Sequence, residues 1–359
     1  MKKLVRIILA VLLAFAAVFS MACGDSENAV TAPGLRFMKF KGDDFYTVYG
    51  YGAEDGVNSL DIGKIAADNG VVIGRIKTGA FVGNSSLTEV IVPDTVSEIE
   101  SGAFKGMEKL EKITLPFVGS GANADPFDGA SEKTEDKVVD GNRNFGYVFG
   151  TDAYDAGAAV NQSYGSGDPV TYYIPHALKE VTVSPAKDGY NVPMYAFYGC
   201  TNLYTVNLSD KVAAIGEKAF YGCANLVSVK VSANLKNIYA SAFEGCDSLK
   251  DYNAEKGTGL NFNGCTLVSV GEKAFYKTAL KSLSLSVETI GDQAFAESKL
   301  QNLTLFNVKL IGAYAFYKCE NLTAATIIAH AAGCKRYVSS FEGCGSAIDA
   351  AVSGIPVIE

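Results

Sequence analysis

The chain has 359 residues, of which 48% are apolar and 19% are charged, a composition that excludes an intrinsically disordered protein. Its formal net charge is −8 at pH 7, and its lysines are scattered along the chain. Because phosphate contact needs a basic stripe, this pattern argues against nucleic acid as a partner. It also gives no support to binding at an anionic lipid surface.

The first 22 residues have the pattern of an export signal. MKKLVR is a basic start, IILAVLLAFAAVF is an apolar run of 13 residues, and small residues follow it. The alternative is a transmembrane anchor, but a membrane span takes about 20 apolar residues and this run is shorter. The pattern therefore predicts a signal peptide over residues 1–22.

Cys23 stands directly after this segment. Ser20, Met21 and Ala22 form the small-x-small pattern of an ordinary cleavage site. A Cys at this point also resembles the bacterial lipobox, in which the Cys is lipidated, although Ser20 occupies the position where the lipobox usually has Leu. The resemblance implies a lipid anchor on Cys23 and contact with the membrane only through that anchor. The polar residues that follow predict a linker over residues 23–36.

The pair Ala-Phe recurs along the chain in a constant context. An aliphatic residue stands five positions before each Phe, and a Leu stands five or six positions after it. A strand pattern, L-x-x-V/I/L-x-V/L, usually follows, and LKDYNA, from Leu249, is its poorest copy. The basic period is 23 residues. The phenylalanines predicted to form the structural core are Phe81, Phe104, Phe197, Phe220, Phe243, Phe275, Phe295 and Phe316, with Phe341 in a degenerate ninth copy.

A period of this size predicts a solenoid, because one unit cannot bury its Leu, Ile and Phe side chains alone. Strands of successive units are expected to pair in parallel, about 4.8 Å apart. We place the solenoid at residues 76–345. The Gly two positions after Phe is expected to have a positive φ at the turn, which applies to Gly83, Gly106, Gly199, Gly222 and Gly245.

Both ends of the repeated region depart from the period. Residues 37–75 contain FYTVYGYG and VVIGRI, which predict a capping strand pair and a first coil. Residues 346–359 are predicted to be a C-terminal cap or tail, because an end coil must not expose its apolar interior.

The pattern L-x-x-I-x-L-P, followed by I-x-x-x-A-F-x-G-C-x-x-L, resembles the BspA-like leucine-rich repeats of bacterial surface proteins. The resemblance covers residues 60–345. It implies a right-handed, mainly β leucine-rich repeat solenoid of the α/β repeat class, with a parallel sheet on one face and short helices or turns on the other. It also implies a secreted or surface-anchored protein. Several members of the family act as adhesins for host matrix proteins or other bacteria.

The repeat phase is lost over residues 117–177, a stretch rich in Gly, Asp, Asn and Tyr. Within it, FGYVFG, with Phe145 and Phe149, is predicted to be the packing turn of an enlarged repeat, and similar enlarged repeats occur in the resembling family. The rest is expected to be an excursion from the solenoid, either an ordinary surface loop or a ligand-contacting loop. Its candidate binding residues are Tyr154, Tyr164, Tyr172 and Tyr173.

Five of the eight cysteines stand three residues after a repeat Phe, a phase that favours a column of buried, reduced thiols. Disulfides between neighbouring coils remain an alternative, because export permits them and the Cα spacing of neighbouring coils allows them. Two more, Cys265 and Cys334, are off phase and are either paired or free. The five in phase are Cys200, Cys223, Cys246, Cys319 and Cys344.

The chain contains no G-x-S-x-G, H-E-x-x-H or phosphate-loop motif, so we expect no enzyme and no cofactor. It has no C-x-x-C, and neither of its two His residues has a partner at ligand spacing, so we also expect no metal site. An acidic stretch, residues 125–140, has the carboxylates to hold Ca²⁺ but lacks the EF-hand spacing, and a solvated loop is the alternative.

The x positions of the repeat strands point away from the core and form a polar face of mixed charge. Extended solenoid faces of this kind bind partners, although solubility requires the same residue types. The candidate binding residues on this sheet face are Glu89, Lys112, Thr114, Lys179, Thr182, Tyr204, Asn207, Lys230, Lys281 and Asn302.

These features predict an exported, lipid-anchored, non-enzymatic binding protein of the cell surface or outer envelope. Its expected partner is a host extracellular matrix protein, or another cell-surface protein or glycan, bound through the sheet face or the 117–177 loop. The alternative is a structural cell-envelope protein without a specific ligand.

Overall fold

The structure, a computed structural model, describes residues 26–31, 34–52, 56–121, 141–164, 168–253, 255–262, 264–329, 333–345 and 347–359. The predicted signal peptide, the predicted lipid anchor on Cys23 and the whole acidic stretch, residues 125–140, lie outside the described residues.

The described residues form mainly β-strands joined by tight turns. The α-helices are α1 (Ile62–Asp68) and α2 (Ala347–Val352), and 3₁₀ turns lie at Gly141–Arg143, Phe145–Val148 and Val338–Phe341. The strands in chain order are β1 (Ser26–Thr31), β2 (Leu35–Phe40), β3 (Tyr46–Tyr51), β4 (Ser59–Asp61), β5 (Ile73–Ile76), β6 (Glu89–Ile91), β7 (Glu98–Ile99), β8 (Lys112–Leu115), β9 (Gly157–Gln162), β10 (Val170–Pro175), β11 (Glu180–Val183), β12 (Tyr190–Val192), β13 (Thr205–Leu208), β14 (Val212–Ile215), β15 (Ser228–Lys230), β16 (Asn237–Ile238), β17 (Leu260–Asn261), β18 (Thr266–Val270), β19 (Ser282–Ile290), β20 (Asn302–Val308), β21 (Leu310–Ile311), β22 (Ala324–Ala329), β23 (Lys335–Tyr337) and β24 (Val357–Ile358).

The repeat strands pair in parallel and in register, which forms what we call the front sheet. Its first part has the order β4-β6-β8-β11-β13-β15-β17. Its second part consists of Ser282–Ser286 of β19, β20 and β22. Val181, Val206 and Val229 align across three neighbouring strands and are fully buried, so the alternating pattern of each strand becomes a continuous apolar column.

A second set of parallel strands, the back sheet, carries the aliphatic residue that precedes each Ala-Phe pair. β5 and β7 belong to a sheet of order β1-β2-β3-β5-β7. Further along the chain the order is β12-β14-β16-β18-β19-β21-β23-β24. β19 serves both sheets, since its first half pairs with β20 and its second half with β18 and β21.

All eight repeat phenylalanines are buried, and most of their rings stack between successive coils. The Phe220 and Phe243 rings lie 5.0 Å apart and only 2° from parallel. Phe341 extends the column at 4.9 Å from Phe316, so the degenerate ninth copy is a true coil. The Phe145 and Phe149 rings bridge from Phe104 to Phe197, which confirms FGYVFG as the packing turn of an enlarged repeat.

The turns around each Phe are joined by backbone hydrogen bonds from coil to coil. The N–H of Phe197 donates to the carbonyl of Ala219 at 2.7 Å, and the N–H of Phe220 donates to that of Ala242 at 2.8 Å. The five glycines expected at positive φ have it, with Gly222 at 68°. Lys277, among others, holds the same left-handed conformation without being Gly.

The cysteines that the structure describes are free, and most are buried beside the Phe column. The thiol of Cys223 donates to the carbonyl of Phe197 at 3.0 Å, and that of Cys246 donates to the carbonyl of Phe220 at 3.1 Å. Burial raises the pKa of Cys223 to about 12, so this thiol stays protonated and able to donate. The in-phase thiols that donate to the preceding coil therefore help to join the coils.

The N-terminal cap is larger than expected. β1 pairs antiparallel with β2, which pairs antiparallel with β3. Ser26–Thr31 therefore belong to the cap, although residues 23–36 were expected to be a linker. The first coil begins with β4, α1 and β5. At the other end, Ile348 and Val352 of α2 are buried and β24 pairs with β23.

The described part of the 117–177 excursion contains an antiparallel hairpin of β9 and β10 that packs on the solenoid. Gln162 is fully buried and fixes the hairpin to two coils. Its Oε1 accepts the N–H of Gly146 at 2.6 Å, and its Nε2 donates to the carbonyls of Ala196 and Tyr198, both at 3.2 Å. The hairpin is thus part of the packed structure and does not project as a free loop.

Candidate functional site

The outward positions of the front sheet form two straight rows, because the strands are in register. Row 1 in the first part contains Ser59, Glu89, Lys112, Glu180, Thr205 and Ser228. Row 2 contains Asp61, Ile91, Thr114, Thr182, Asn207, Lys230 and Asn261.

The candidate binding residues predicted on the sheet face lie on front strands or immediately before them. Each repeat places its x residues at the same outward positions, so the structure brings these side chains onto one surface. The exposed residues are Lys112, Lys179, Tyr204, Lys230, Lys281 and Asn302, and the half-buried residues are Glu89, Thr114, Thr182 and Asn207.

Charged side chains in the first part of the front sheet are held by neighbouring coils. Lys112 Nζ lies 3.5 Å from a Glu180 carboxylate oxygen, and Asn207 donates from Nδ2 to the other oxygen at 2.9 Å. The Ser59 hydroxyl donates to Glu89 at 2.9 Å. These contacts fix the charges in an ordered pattern, which is a feature of surfaces that recognise a complementary partner.

An open depression of about 320 Å³ lies at the end of these strands. Thr182, Asn207, Lys211 and Lys230 line it. Lys211 Nζ donates to the carbonyl of Ala186 at 2.9 Å, which holds the ammonium group in place. The same Nζ lies 3.6 Å from an Asp94 carboxylate oxygen, and Asp210 also lines the depression, so charges of both signs are held there.

The tyrosines predicted as binding anchors in the 117–177 loop do not form an exposed cluster. Tyr172 is only 4% exposed and fits over Gly146, where a Cβ would lie 2.4 Å from the Tyr172 side chain. The prediction of Tyr172 as a surface anchor is therefore wrong, because its side chain packs against Gly146 in the 3₁₀ turn Phe145–Val148. Tyr154 has a buried hydroxyl, and burial raises its pKa. Tyr164 and Tyr173 are half-buried.

The front sheet has a seam between β17 and β19 that the sequence analysis missed. The chain departs from the sheet after Lys250 and returns at Leu260, and the described residues 251–253 and 255–259 form an excursion on the face. The sequence signal was present in the poor copy LKDYNA and in the 32-residue spacing between Phe243 and Phe275.

Specific hydrogen bonds hold this excursion. The carboxylate of Asp251 accepts the N–H groups of Lys281 at 2.7 Å and Ser282 at 3.1 Å, where other coils use a backbone carbonyl. The Ser228 hydroxyl accepts the N–H of Gly259 at 3.0 Å and lies 3.3 Å from its carbonyl. A cleft of about 310 Å³ lies along the seam.

Within the described residues, no group of three or more His, Cys, Asp or Glu side chains is placed to hold a metal ion. In the same part of the chain, no helix is both long and apolar enough to span a membrane. Burial raises the pKa of Tyr190, whose hydroxyl oxygen accepts the N–H of Val118 at 3.0 Å, so this group has a structural role.

The model of the BspA-type leucine-rich repeat region matches the chain in 6 copies, over residues 59–130, 175–261 and 268–351. These stretches make up more than half of the chain. The chain belongs to the BspA-type leucine-rich repeat family. Its front sheet is the parallel sheet that the family resemblance implied.

Solved structures of bacterial leucine-rich repeat proteins are similar to the chain. A Bacteroides ovatus protein is 18% identical, with 88% of this chain and 81% of that chain covered and a TM-score of 0.33. A Faecalibacterium prausnitzii protein named as a leucine-rich cell surface protein is 17% identical. The alignment covers 84% of this chain and 95% of that chain, with a TM-score of 0.31.

A T. pallidum leucine-rich repeat protein is 27% identical over 41% of this chain, with a TM-score of 0.28. The chain spans 57% of the length of that protein. No curated protein matches the chain.

Proposed function

We propose that the chain is an exported protein of the bacterial cell surface, anchored by lipid at Cys23, that binds a partner in the manner of an adhesin. The partner is a host extracellular matrix protein, or another cell-surface protein or glycan. It docks on the first part of the front sheet, from β4 to β15.

The observation that carries this proposal is the ordered charge pattern of the first part of the front sheet. Lys112 and Glu180 pair there, and Asn207 orients the carboxylate. Tyr204 is 48% exposed beside them and offers the aromatic surface that binding sites favour. The signal-peptide pattern of residues 1–22 and the family resemblance support the surface location.

The described part of the 117–177 excursion is a weaker candidate for the docking surface. Its hairpin is fixed by Gln162, and the Tyr172 ring is buried. A surface that keeps its polar groups directed outward over several coils offers a larger area than this hairpin. Standard interfaces bury about 800 Å² on each partner, which requires such a surface.

The proposal is tested by saturation binding of the full chain to host matrix proteins, mucin glycans and intact neighbouring bacteria. We expect at least one of these to bind saturably and to leave the bound material chemically unchanged. If no partner saturates, the proposal is contradicted, and a structural envelope role without a specific ligand takes its place.

A further inference from the structure

The seam between β17 and β19 separates two chemically different parts of the front sheet. Before it, row 1 carries Glu89, Lys112 and Glu180. After it, the outward positions within the strands carry uncharged residues, and the charged Lys281 stands immediately before β19. The uncharged residues are Ser282, Asn302 and Ala324 in one row, and Ser284, Thr304 and Thr326 in the next.

From this geometry we propose that the cleft at the seam is a binding site for a neutral oligosaccharide. The proposal deepens the binding function proposed above by adding a second site with a stated ligand class, and it rests on that function. Hydroxyl and amide groups line the cleft together with the Asp251 carboxylate, apolar side chains and the side chain of Tyr252. The lining residues that the argument uses are Tyr252, Asn261, Ser282, Ser284, Asn302 and Thr304.

The lining groups match the chemistry of a sugar. A neutral sugar presents many hydroxyl groups that both donate and accept hydrogen bonds, and Ser, Thr and Asn side chains do the same. Ser282, Ser284 and Asn302 are exposed. Asn302 Nδ2 lies 3.4 Å from the Ser282 hydroxyl, a long contact that a sugar hydroxyl can replace.

Tyr252 supplies the apolar contact. Its side chain is 42% exposed and lines the cleft. An aromatic ring has an apolar face, and the C–H groups of a pyranose ring form a flat apolar surface that packs on it. A cleft that combines such a ring with hydroxyl and amide groups fits a saccharide better than an ion, because Asp251 is the one charged residue among the described residues that line it.

The cleft volume limits the ligand. At about 310 Å³ it lies at the lower end of the range of about 300–1,000 Å³ that small-molecule sites occupy. A cleft of this size holds a few sugar units at the end or in the middle of a chain. It does not hold a folded protein domain.

The structure also disfavours an extended peptide in the seam. A peptide that adds a strand to a sheet needs free backbone groups at the sheet edge. The N–H groups of Lys281 and Ser282, at the start of β19, are already bonded to the Asp251 carboxylate. Asp251 therefore blocks the first hydrogen bonds that a peptide strand would make.

The cleft is preorganised in the absence of a ligand. Ser228, which is only 4% exposed, holds Gly259 through its hydroxyl, and Asp251 holds the start of β19. Gly259 has φ of 102°, and a Cβ there would lie 2.2 Å from the Asp251 carbonyl oxygen. These contacts fix both ends of the excursion, so little order has to be gained on binding.

The test is calorimetric titration of the full chain with maltohexaose, cellohexaose, xylohexaose, chitohexaose and lacto-N-tetraose. We expect at least one of these to bind saturably at one site. Tyr252→Ala is expected to weaken that affinity by about tenfold, the effect of removing an aromatic anchor. Ser284→Arg, which places a long side chain in the cleft, is expected to abolish binding.

The matched control is Tyr314→Ala. Tyr314 is 40% exposed, close to the value for Tyr252, but it lies on an Ala-Phe turn and not on the front sheet. We expect its removal to leave the oligosaccharide affinity unchanged, and thermal melts to confirm that all three variants fold. The proposal is overturned if none of the five sugars binds, or if affinity survives both Tyr252→Ala and Ser284→Arg.

Failure of this site is distinguishable from failure of the proposed function. If the full chain binds a matrix protein or intact cells saturably but none of the five sugars, the oligosaccharide site is wrong and the surface-binding function stands. If a peptide library competes for the cleft and the sugars do not, the ligand class is wrong.

Discussion

Phe243→Ala is expected to lower the free energy of unfolding by about 3–5 kcal/mol, the cost of removing a buried Phe side chain. The Phe243 ring is fully buried, 5.0 Å from the Phe220 ring and 5.1 Å from the Phe275 ring. Each coil of a solenoid contacts only its neighbours, so this change also weakens the coupling between the coils before Phe243 and the coils after it. Urea unfolding followed by circular dichroism is expected to show a lower midpoint and two separate transitions.

Phe341→Ala is the control for this effect. Phe341 is 8% exposed and lies at the end of the column, with the Phe316 ring at 4.9 Å. We expect a smaller loss and a single main transition, because only the terminal coil is affected. A larger loss for Phe341→Ala than for Phe243→Ala would contradict the stacked column as the source of stability.

Gly271→Ala is expected to destabilise the chain by about 3 kcal/mol, at the upper end of the range for overpacking. A Cβ at Gly271 would lie 2.6 Å from the backbone N of Ala240 and 2.7 Å from the backbone C of Tyr239. Those atoms belong to the preceding coil and cannot rotate away as a side chain can. The coils must therefore separate locally, which thermal and urea unfolding will report.

Gly222→Ala separates this steric effect from backbone strain. Gly222 has φ of 68°, but a Cβ there would meet nothing within 4 Å. The expected loss is about 1 kcal/mol, from the left-handed conformation alone. Equal losses in the two variants would show that close approach of coils is not the reason for Gly at position 271.

The repeated elements were predictable because each combines several signals that agree. Val181, Val206 and Val229 alternate with polar residues in the strands, and the Phe phase fixes the turns. The same apolar side chains are buried at the same position in each coil, so one correct coil predicts the others. The turn glycines were predictable as well, because Gly tolerates positive φ at no steric cost.

The irregular parts could not be predicted in the same way. β9 and β10 pack through Gln162, a polar residue whose burial has no signal in the apolar pattern. The seam depends on the Asp251 carboxylate replacing a backbone carbonyl, and a single Asp in a poor repeat copy does not indicate this. Tyr172 resembled an exposed loop residue because its partner, Gly146, lies far away in sequence.

The candidate site likewise has a part that the sequence predicts and a part that it does not. The position of the ten predicted residues on the front sheet was predictable, because the outward positions of a repeat strand follow directly from its inward ones. Tyr252 and the cleft itself were missed, because the cleft depends on how the excursion returns to the sheet. The repeat determines the register of the strands, so that register can be predicted. The cleft forms where the repeat is interrupted, so the repeat pattern does not predict it.

The most direct measurement is the affinity of the double variant Lys112→Glu with Glu180→Lys for the first partner that saturates in the binding screen. The swap keeps the net charge and the ion pair, whose exposed side chains contribute at most about 1 kcal/mol to stability, but it reverses the local charge pattern. We expect the free energy of unfolding to stay unchanged and the affinity for the partner to be at least about tenfold weaker. Unchanged affinity would contradict docking on the first part of the front sheet.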